Sequence, residues 1–434
     1  MAQKLRYQAE RKAEDNVLWD IFDGAHYNCL CGKRVVVGGN TLGHRYFSKP
    51  TNIALGLSSN GFGPFKSRKQ SCWPLLVFNY NLPPSIRTCL ENMLCLGIIP
   101  GPNSPKEINT FLEPFIDELE LLARGVPAHN ASANHPVTLH AYLLACFGDM
   151  PAVAKLMCMK GHNGKQPCWA CRIRAVYASA GKRTYYTPLS QHFIPGIPRI
   201  WRYDPLNLPL RMHVDYLEQA LHIGASNNNT TEARRSRCTG INSLSPLARI
   251  ASLDFAVSFP HDFMHAMFEN VVPMLLDLWT CTGKWAKFGL SDKEYHLHPD
   301  VWAEIGKACA ASVNLINTCL AFEITHEGIQ EVRTDFAQWV RDFEHLYVRN
   351  DKSWLRLCTL PLHSLLHIAD NIKNMGPVWA YWAFPMERFC GALARASKSQ
   401  RYPYSSLNCC VLQTLQLLQI KHMYNLTEQL DLED

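Results

Sequence analysis

Apolar residues along the 434-residue chain fall into two regimes. Up to about residue 150 they come in short runs closed by breakers, and beyond about residue 260 they recur at three-four spacing. The runs at 53–57, 73–79 ("WPLLVFN") and 93–99 ("MLCLGII") predict three strands. The first closes on Ser58-Ser59-Asn60-Gly61 and the last on "PGPNSP", where the chain must turn. "KRVVVGGN", residues 33–40, predicts a short edge strand ending at a glycine turn, and residues 1 to about 22 predict a charged helix. Over 106–124, Ile108, Phe111, Leu112, Phe115, Ile116, Leu119 and Leu122 form one stripe, so a helix is expected, with Gly125 as its stop. "VTLHAYLLACFGD" predicts a fourth strand, ending at Gly148-Asp149.

From about 175 to 255 the chain is rich in Pro, Ser, Asn and Arg and predicts an irregular connection with one helix near 210–222. Helical patterns then cover 262–279, 299–322, 330–347, 378–397 and 404–424. The expected division is a lead-in over 1–50, an α/β core over 51–175, a linker and helical insertion over 176–375, and a C-terminal helical part over 376–434. Three strands, a helix and a strand suit an α/β domain whose strand ends gather a site at one sheet edge.

Composition narrows the class. With 47% hydrophobic residues the chain can bury a sizeable core. The net charge of +6, from 43 basic and 37 acidic residues, permits nucleic-acid contact without requiring it. The N-terminus is charged, and the apolar stretch over 271–279 is interrupted by Asp277, so a soluble intracellular protein is expected. Seventeen scattered cysteines suit free thiols and one metal site. No phosphate loop, dinucleotide fingerprint or nucleophile elbow occurs.

Four places offer chemistry. Cys168-x-x-Cys171 has the spacing of a zinc ligand pair, with His162 six positions upstream. One such pair supplies two of four ligands, so the others must come from His162 or from the distant His261, His265, His363 or His367; buried thiols and a redox pair are the competing readings. In "SFPHDFMHAMFEN", Asp262, His265 and Glu269 share a helix face and suit either a metal or a plain helix cap. Glu387 follows an aromatic run and adjoins Arg388, the pattern of a rim salt bridge. Asp149 precedes Met150-Pro151, which also suits an N-cap.

Taken together, "IALGLSSNGFGPF", "WPLLVFNYNLPPSIR", "GIIPGPNSPKEINTFLEPFIDEL", "FGDMPAVAKLMCMKGHNGKQPCWAC", "DPLNLPLR", "SFPHDFMHAMFENVVPMLLDLWT" and "GPVWAYWAFPMERFCGAL" resemble the transposases of CACTA-type (En/Spm-like) DNA transposons of plants and fungi, most of all the fungal branch. The resemblance runs from about residue 20 to about 405. It implies an RNase H-like core of the DDE class with a helical insertion, in which three carboxylates hold two Mg2+ or Mn2+ ions for phosphodiester cleavage and strand transfer. Carried over, the first acidic position falls on Asn60, the second on Asp149 and the third on Glu387, with Glu269 as competitor. Cys168 and Cys171 match the family's CxxC, and His265 matches the histidine of its DxMH block. DNA at transposon ends and nuclear location belong to the same expectation; a homo-oligomer and a structural Zn2+ at the cysteine pair are expected beside it. The amide at Asn60 departs from the pattern: it lacks the charge a hard dication prefers, so a degenerate or domesticated copy with impaired cleavage is expected. The alternative is a non-enzymatic DNA-binding protein using the basic segments 66–70 and 232–237.

Overall fold

Strand-forming runs and glycine turns determine the first elements of the chain. The computed structural model describes residues 3–12, 14–65, 70–101, 103, 105, 107–130, 134–177, 185–191, 201–280, 283–284, 313–348, 352–396, 399, 401–424, 426 and 429–430. Strands β1 (Arg34–Val37) and β2 (Asn40–Arg45) pair antiparallel across Gly38-Gly39, both at positive φ, as a tight hairpin turn requires. The three predicted core strands are β3 (Ile53–Ser59), β4 (Cys72–Asn79) and β5 (Leu94–Pro100). The hairpin strands β6 (Val126–Asn130) and β7 (His135–Leu139) follow, and then β8 (Ala141–Phe147).

The main sheet has the order β5-β4-β3-β8. Strand β3 pairs antiparallel with β4 from Leu55↔Asn79 to Ser59↔Leu75, and β4 pairs antiparallel with β5. Strands β4 and β8 are buried nearly throughout, and so is β3, which explains runs apolar on both faces rather than alternating. The single strand expected from "VTLHAYLLACFGD" is two. His140 breaks it: β7 turns back onto β6, while the His140 carbonyl accepts the Ile53 N–H at 2.9 Å and leads β8 to the edge of β3.

Among the described residues, the helices of five residues or more are α1 (Ala25–Cys31), α2 (Asn109–Arg124), α3 (Met150–Leu156), α4 (His213–Gly224), α5 (Asn229–Thr239), α6 (Val272–Thr280), α7 (His326–Phe343), α8 (Leu360–Ser364), α9 (Ile368–Met375), α10 (Phe384–Ala396) and α11 (Pro403–Tyr424). A π-helical turn, Met264–Val271, precedes α6. The expected charged helix over 1–22 is instead two short turns, Lys4–Arg6 and Tyr7–Glu10, followed by an Asp20-capped turn, Ile21–Asp23. Between them Val17–Leu18 pairs with Ile324–Thr325, which holds this stretch extended. Of the helix expected over 299–322, residues 299–312 lie outside the described residues.

The chain divides into two compact units. One comprises Met1–Glu10, Lys49–Leu143 and Ala383–Asp434; the other comprises Arg11–Ser48 and Leu144–Trp382. In the first, α2 buries Leu112, Ile116 and Leu119, and Cys72, Leu393 and Leu407 form a local core with Phe62, Phe389 and Tyr404. In the second, α7 begins at Thr325, whose hydroxyl accepts the Gly328 N–H at 3.0 Å. Its buried stripe Ile329, Val332, Phe336, Val340 and Phe343 keeps three-four spacing, and most of it joins a large core with Phe263, Ile368 and Ile372. Among the described residues no helix is long and apolar enough to cross a membrane.

Candidate functional site

In the first unit, β3 ends at Ser59 and delivers Asn60, which is 4% exposed. A left-handed backbone does not account for this asparagine. The non-glycine residues with positive φ among those described are Asn16, Phe47, Asn134 and Cys158. Gly61 follows because a Cβ there would lie 2.6 Å from the Trp73 indole; Phe62 then pairs with Cys72 across the turn. The Asn60 carbonyl oxygen accepts the Gly61 N–H at 2.8 Å, and its amide nitrogen donates to Oε1 of Glu387, a half-buried residue in the first turn of α10. Residues 327 positions apart therefore meet in one hydrogen bond. The adjacent Arg388 donates to the Thr88 carbonyl.

Asn60 and Glu387 together bring one negative charge to the pair, where two carboxylates would bring two. Asn60 spends its oxygen on a backbone N–H and turns a donor, rather than an acceptor, toward the carboxylate. The residues present do not fit the Mg2+ or Mn2+ that the family resemblance implies at this position.

Asp149 and Glu269 belong to the second unit. Asp149 caps α3, accepting the Ala152 N–H at 2.6 Å. Burial lowers the pKa of Lys155 at the far end of that helix, and the Asp149 charge opposes the shift. Glu269 is exposed on the π-helical turn, with its carboxylate 3.7 Å from His265 Nε2. His265 Nδ1 bonds to the buried Asp262, which also accepts the His265 N–H at 3.0 Å. Asp262 thus orients the imidazole and caps the turn in one contact set.

The cysteine pair meets two of the five histidines offered by the sequence, and neither is His162 or His265. Cys168 Sγ lies 3.4 Å from His367 Nε2, Cys171 Sγ lies 3.2 Å from His363 Nε2, and the two imidazoles meet Nε2 to Nε2 at 3.2 Å. All four are buried. His162 and His265 stand outside this group: His162 is exposed on the turn Gly161–Asn163, and His265 is engaged with Asp262. Of the histidines considered from sequence, His363 and His367 converge because α8 and the turn after it place them one helical turn apart.

The surroundings hold the cysteine turn in place. Arg211, itself buried, donates to the carbonyls of Cys168 at 3.0 Å, Gln166 at 3.2 Å and Thr239 at 2.8 Å. The Trp169 indole donates to the Phe259 carbonyl at 2.8 Å and stacks on His261 at 4.1 Å, and His261 stacks in turn on His367 at 5.3 Å. Burial by itself raises a thiol pKa, but at Cys168 the hydrogen bond with Cys171 and the charges of His367 and His363 bring it well below the usual range. Cys171 moves up, through burial and then through its bond to Cys168. Burial lowers His261 to about 4 and lowers His363 as well.

Comparison with known proteins follows the same residues. Residues 40–196 match the family model described as transposase family tnp2, a stretch that holds Asn60, Asp149, His162, Cys168 and Cys171 and stops short of the later candidates. No curated protein matches the chain significantly. The region that carries β3, β4, β5, β8 and the cysteine turn is similar to tnp2-family transposases.

Proposed function

We propose that this chain is a transposase-derived DNA-binding protein. It has an RNase H-like core of the DDE class, and its cleavage chemistry is impaired at the first acidic position. The observation that carries this reading is the contact between Asn60 and Glu387, the two residues on which the resemblance puts the first and third acidic positions. The strand order β5-β4-β3-β8, with antiparallel pairing from β3 to β5, supports the fold assignment, and the tnp2 match over residues 40–196 supports the lineage. In the active form of such a site, carboxylates bind two divalent ions that activate the attacking oxygen and stabilise the leaving one. Asn60 does not supply the charge for this, so cleavage is impaired while the scaffold persists.

A specific observation favours a retained role in binding DNA. Arg234 and Arg237 project from the exposed side of α5, and neither forms an ion pair among the described residues. Residues 66–69 of the other basic segment lie outside the described residues. Phosphate contacts of this kind predict binding that weakens steeply with salt.

A plasmid nicking assay with Mg2+ or Mn2+, run beside a mobility-shift titration, tests the proposal. The expected result is salt-sensitive binding, little cleavage by the native chain, and cleavage gained in Asn60→Asp and lost again in Asn60→Asp with Asp149→Ala. Robust native cleavage that Asp149→Ala abolishes would overturn the impairment, and absence of binding at low salt would overturn the DNA-binding role.

A further inference from the structure

The strongest unassigned feature is the buried Cys/His group of the second unit. We propose that Cys168, Cys171, His363 and His367 bind one Zn2+ in a closed tetrahedral site that staples the cysteine turn to the 360–375 helical segment. The inference rests on these four side chains alone and is independent of the transposase reading.

Geometry is the first support. The four ligand atoms lie within 4.8 Å of one another, and three of the pairs stand 3.4, 3.2 and 3.2 Å apart. Tetrahedral zinc with Zn–S near 2.3 Å and Zn–N near 2.0–2.1 Å has ligand-to-ligand edges of about 3.3–3.8 Å. The side chains therefore already surround a point at which one ion fits with little movement.

Donor chemistry is the second. Two thiols and two imidazoles, with no oxygen in the set, select zinc over magnesium or calcium. All four residues are at most 2% exposed, and four protein ligands leave no open position, so the site is structural rather than catalytic.

Sequence separation is the third. Each Cys–His contact closes a long loop: 192 residues separate Cys171 from His363 and 199 separate Cys168 from His367. An ion at this point ties together segments that share only a small local core, and its binding energy adds to the stability of the folded unit. The polar frame is built to receive it. Arg211 fixes the cysteine turn through three carbonyls, and the stack of Trp169, His261 and His367 fixes the second imidazole. Asn371 bonds to His261 Nδ1 at 3.2 Å and anchors that stack to α9.

Metal analysis of the full chain, purified without added chelator, tests this. Stoichiometric zinc is expected, with loss in Cys168→Ser and His367→Gln and full retention in His162→Ala. Because ligand variants can also fail to fold, the native chain is stripped with a chelator and titrated with Co2+; the absorption of tetrahedral cobalt with thiolate ligands is expected, displaced by Zn2+. Zinc-free folded protein, a Cys168–Cys171 disulfide in its place, zinc retained in both ligand variants, or an octahedral cobalt spectrum would each overturn the site.

Discussion

Replacing Asn60 by Asp changes one NH2 for one oxygen at a position 4% exposed, and its consequences can be worked from the two hydrogen bonds of the native amide. The bond from the Gly61 N–H survives, because a carboxylate oxygen accepts as well as an amide oxygen. The bond to Glu387 does not: its donor is gone, and two carboxylates face each other. At a separation of about 4 Å this repulsion amounts to about 1 kcal/mol at the dielectric of water and about 4 kcal/mol at the effective dielectric of a protein surface. Burial of Asn60 favours the upper part of that range. Since about 1 kcal/mol moves the melting temperature by about 2–4 °C in a unit of this size, Asn60→Asp is expected to melt several degrees below the native chain in chelator.

Two conditions should reverse that loss. Mutual repulsion raises the folded-state pKa of one carboxyl, so the penalty is present above that pKa and disappears as pH falls through it. A divalent cation between the two carboxylates removes it at neutral pH. The assay is thermal unfolding of native and variant protein in chelator, with Mg2+ and with Mn2+, at acidic and neutral pH. Native protein should show no cation dependence from this site, and the variant should recover with either ion or with acid. Equal melting of the two proteins in chelator, or the same cation-dependent gain in both, would refute the view that the native pair lacks the second negative charge a divalent cation prefers.

Two further predictions concern pH in the second unit. His26, whose Nε2 contacts the Ser252 carbonyl at 3.1 Å and the Ser258 hydroxyl at 3.0 Å, is lowered by burial to about 4. Stability should therefore fall as pH drops from about 6.5 to about 4, by up to about 3 kcal/mol, and urea midpoints of His26→Gln should lose that slope. Glu344 accepts the Leu189 N–H at 2.7 Å and is pushed up to about 7 by burial. Its cost grows from about pH 4.5 to about 7, so Glu344→Gln should gain about 1–3 kcal/mol above pH 7 and nothing below pH 4.5, as read by urea unfolding at both values.

What the sequence made legible follows from periodicity. Runs such as "WPLLVFN" read as strands because both faces of β3, β4 and β8 are buried, and α2 and α7 read as helices because each buries a single stripe. The failures share a physical cause. Helix α5 buries only Ser236 and owes its existence to the Asn228 cap, which accepts the Thr231 N–H at 2.8 Å, and to Gly240 at φ 80, so no apolar pattern announces it. His140 splits an apolar run through a single backbone hydrogen bond to Ile53, a long-range contact that local composition does not encode.

The sites divide in the same way. Asn60 stood out because a motif located it, but Glu387, to which its amide donates, lies 327 positions away, and no local pattern joins the two. For the cysteine pair, proximity in sequence favoured His162, and the DxMH block favoured His265. The spacing His363-x-x-x-His367 in "LPLHSLLHIAD" was the signal that could have settled it. Two histidines four apart share a helix face, and Thr359-Leu360-Pro361 is a helix start, with the Thr359 hydroxyl accepting the Leu362 N–H. Leu362, Leu365, Leu366 and Ile368 around them are all buried, so that face points into a core. A bare pair of imidazoles in such a place is costly unless something binds them. A helical HxxxH inside an apolar run is for that reason a stronger indicator of the missing ligands than any histidine lying near the cysteines in sequence.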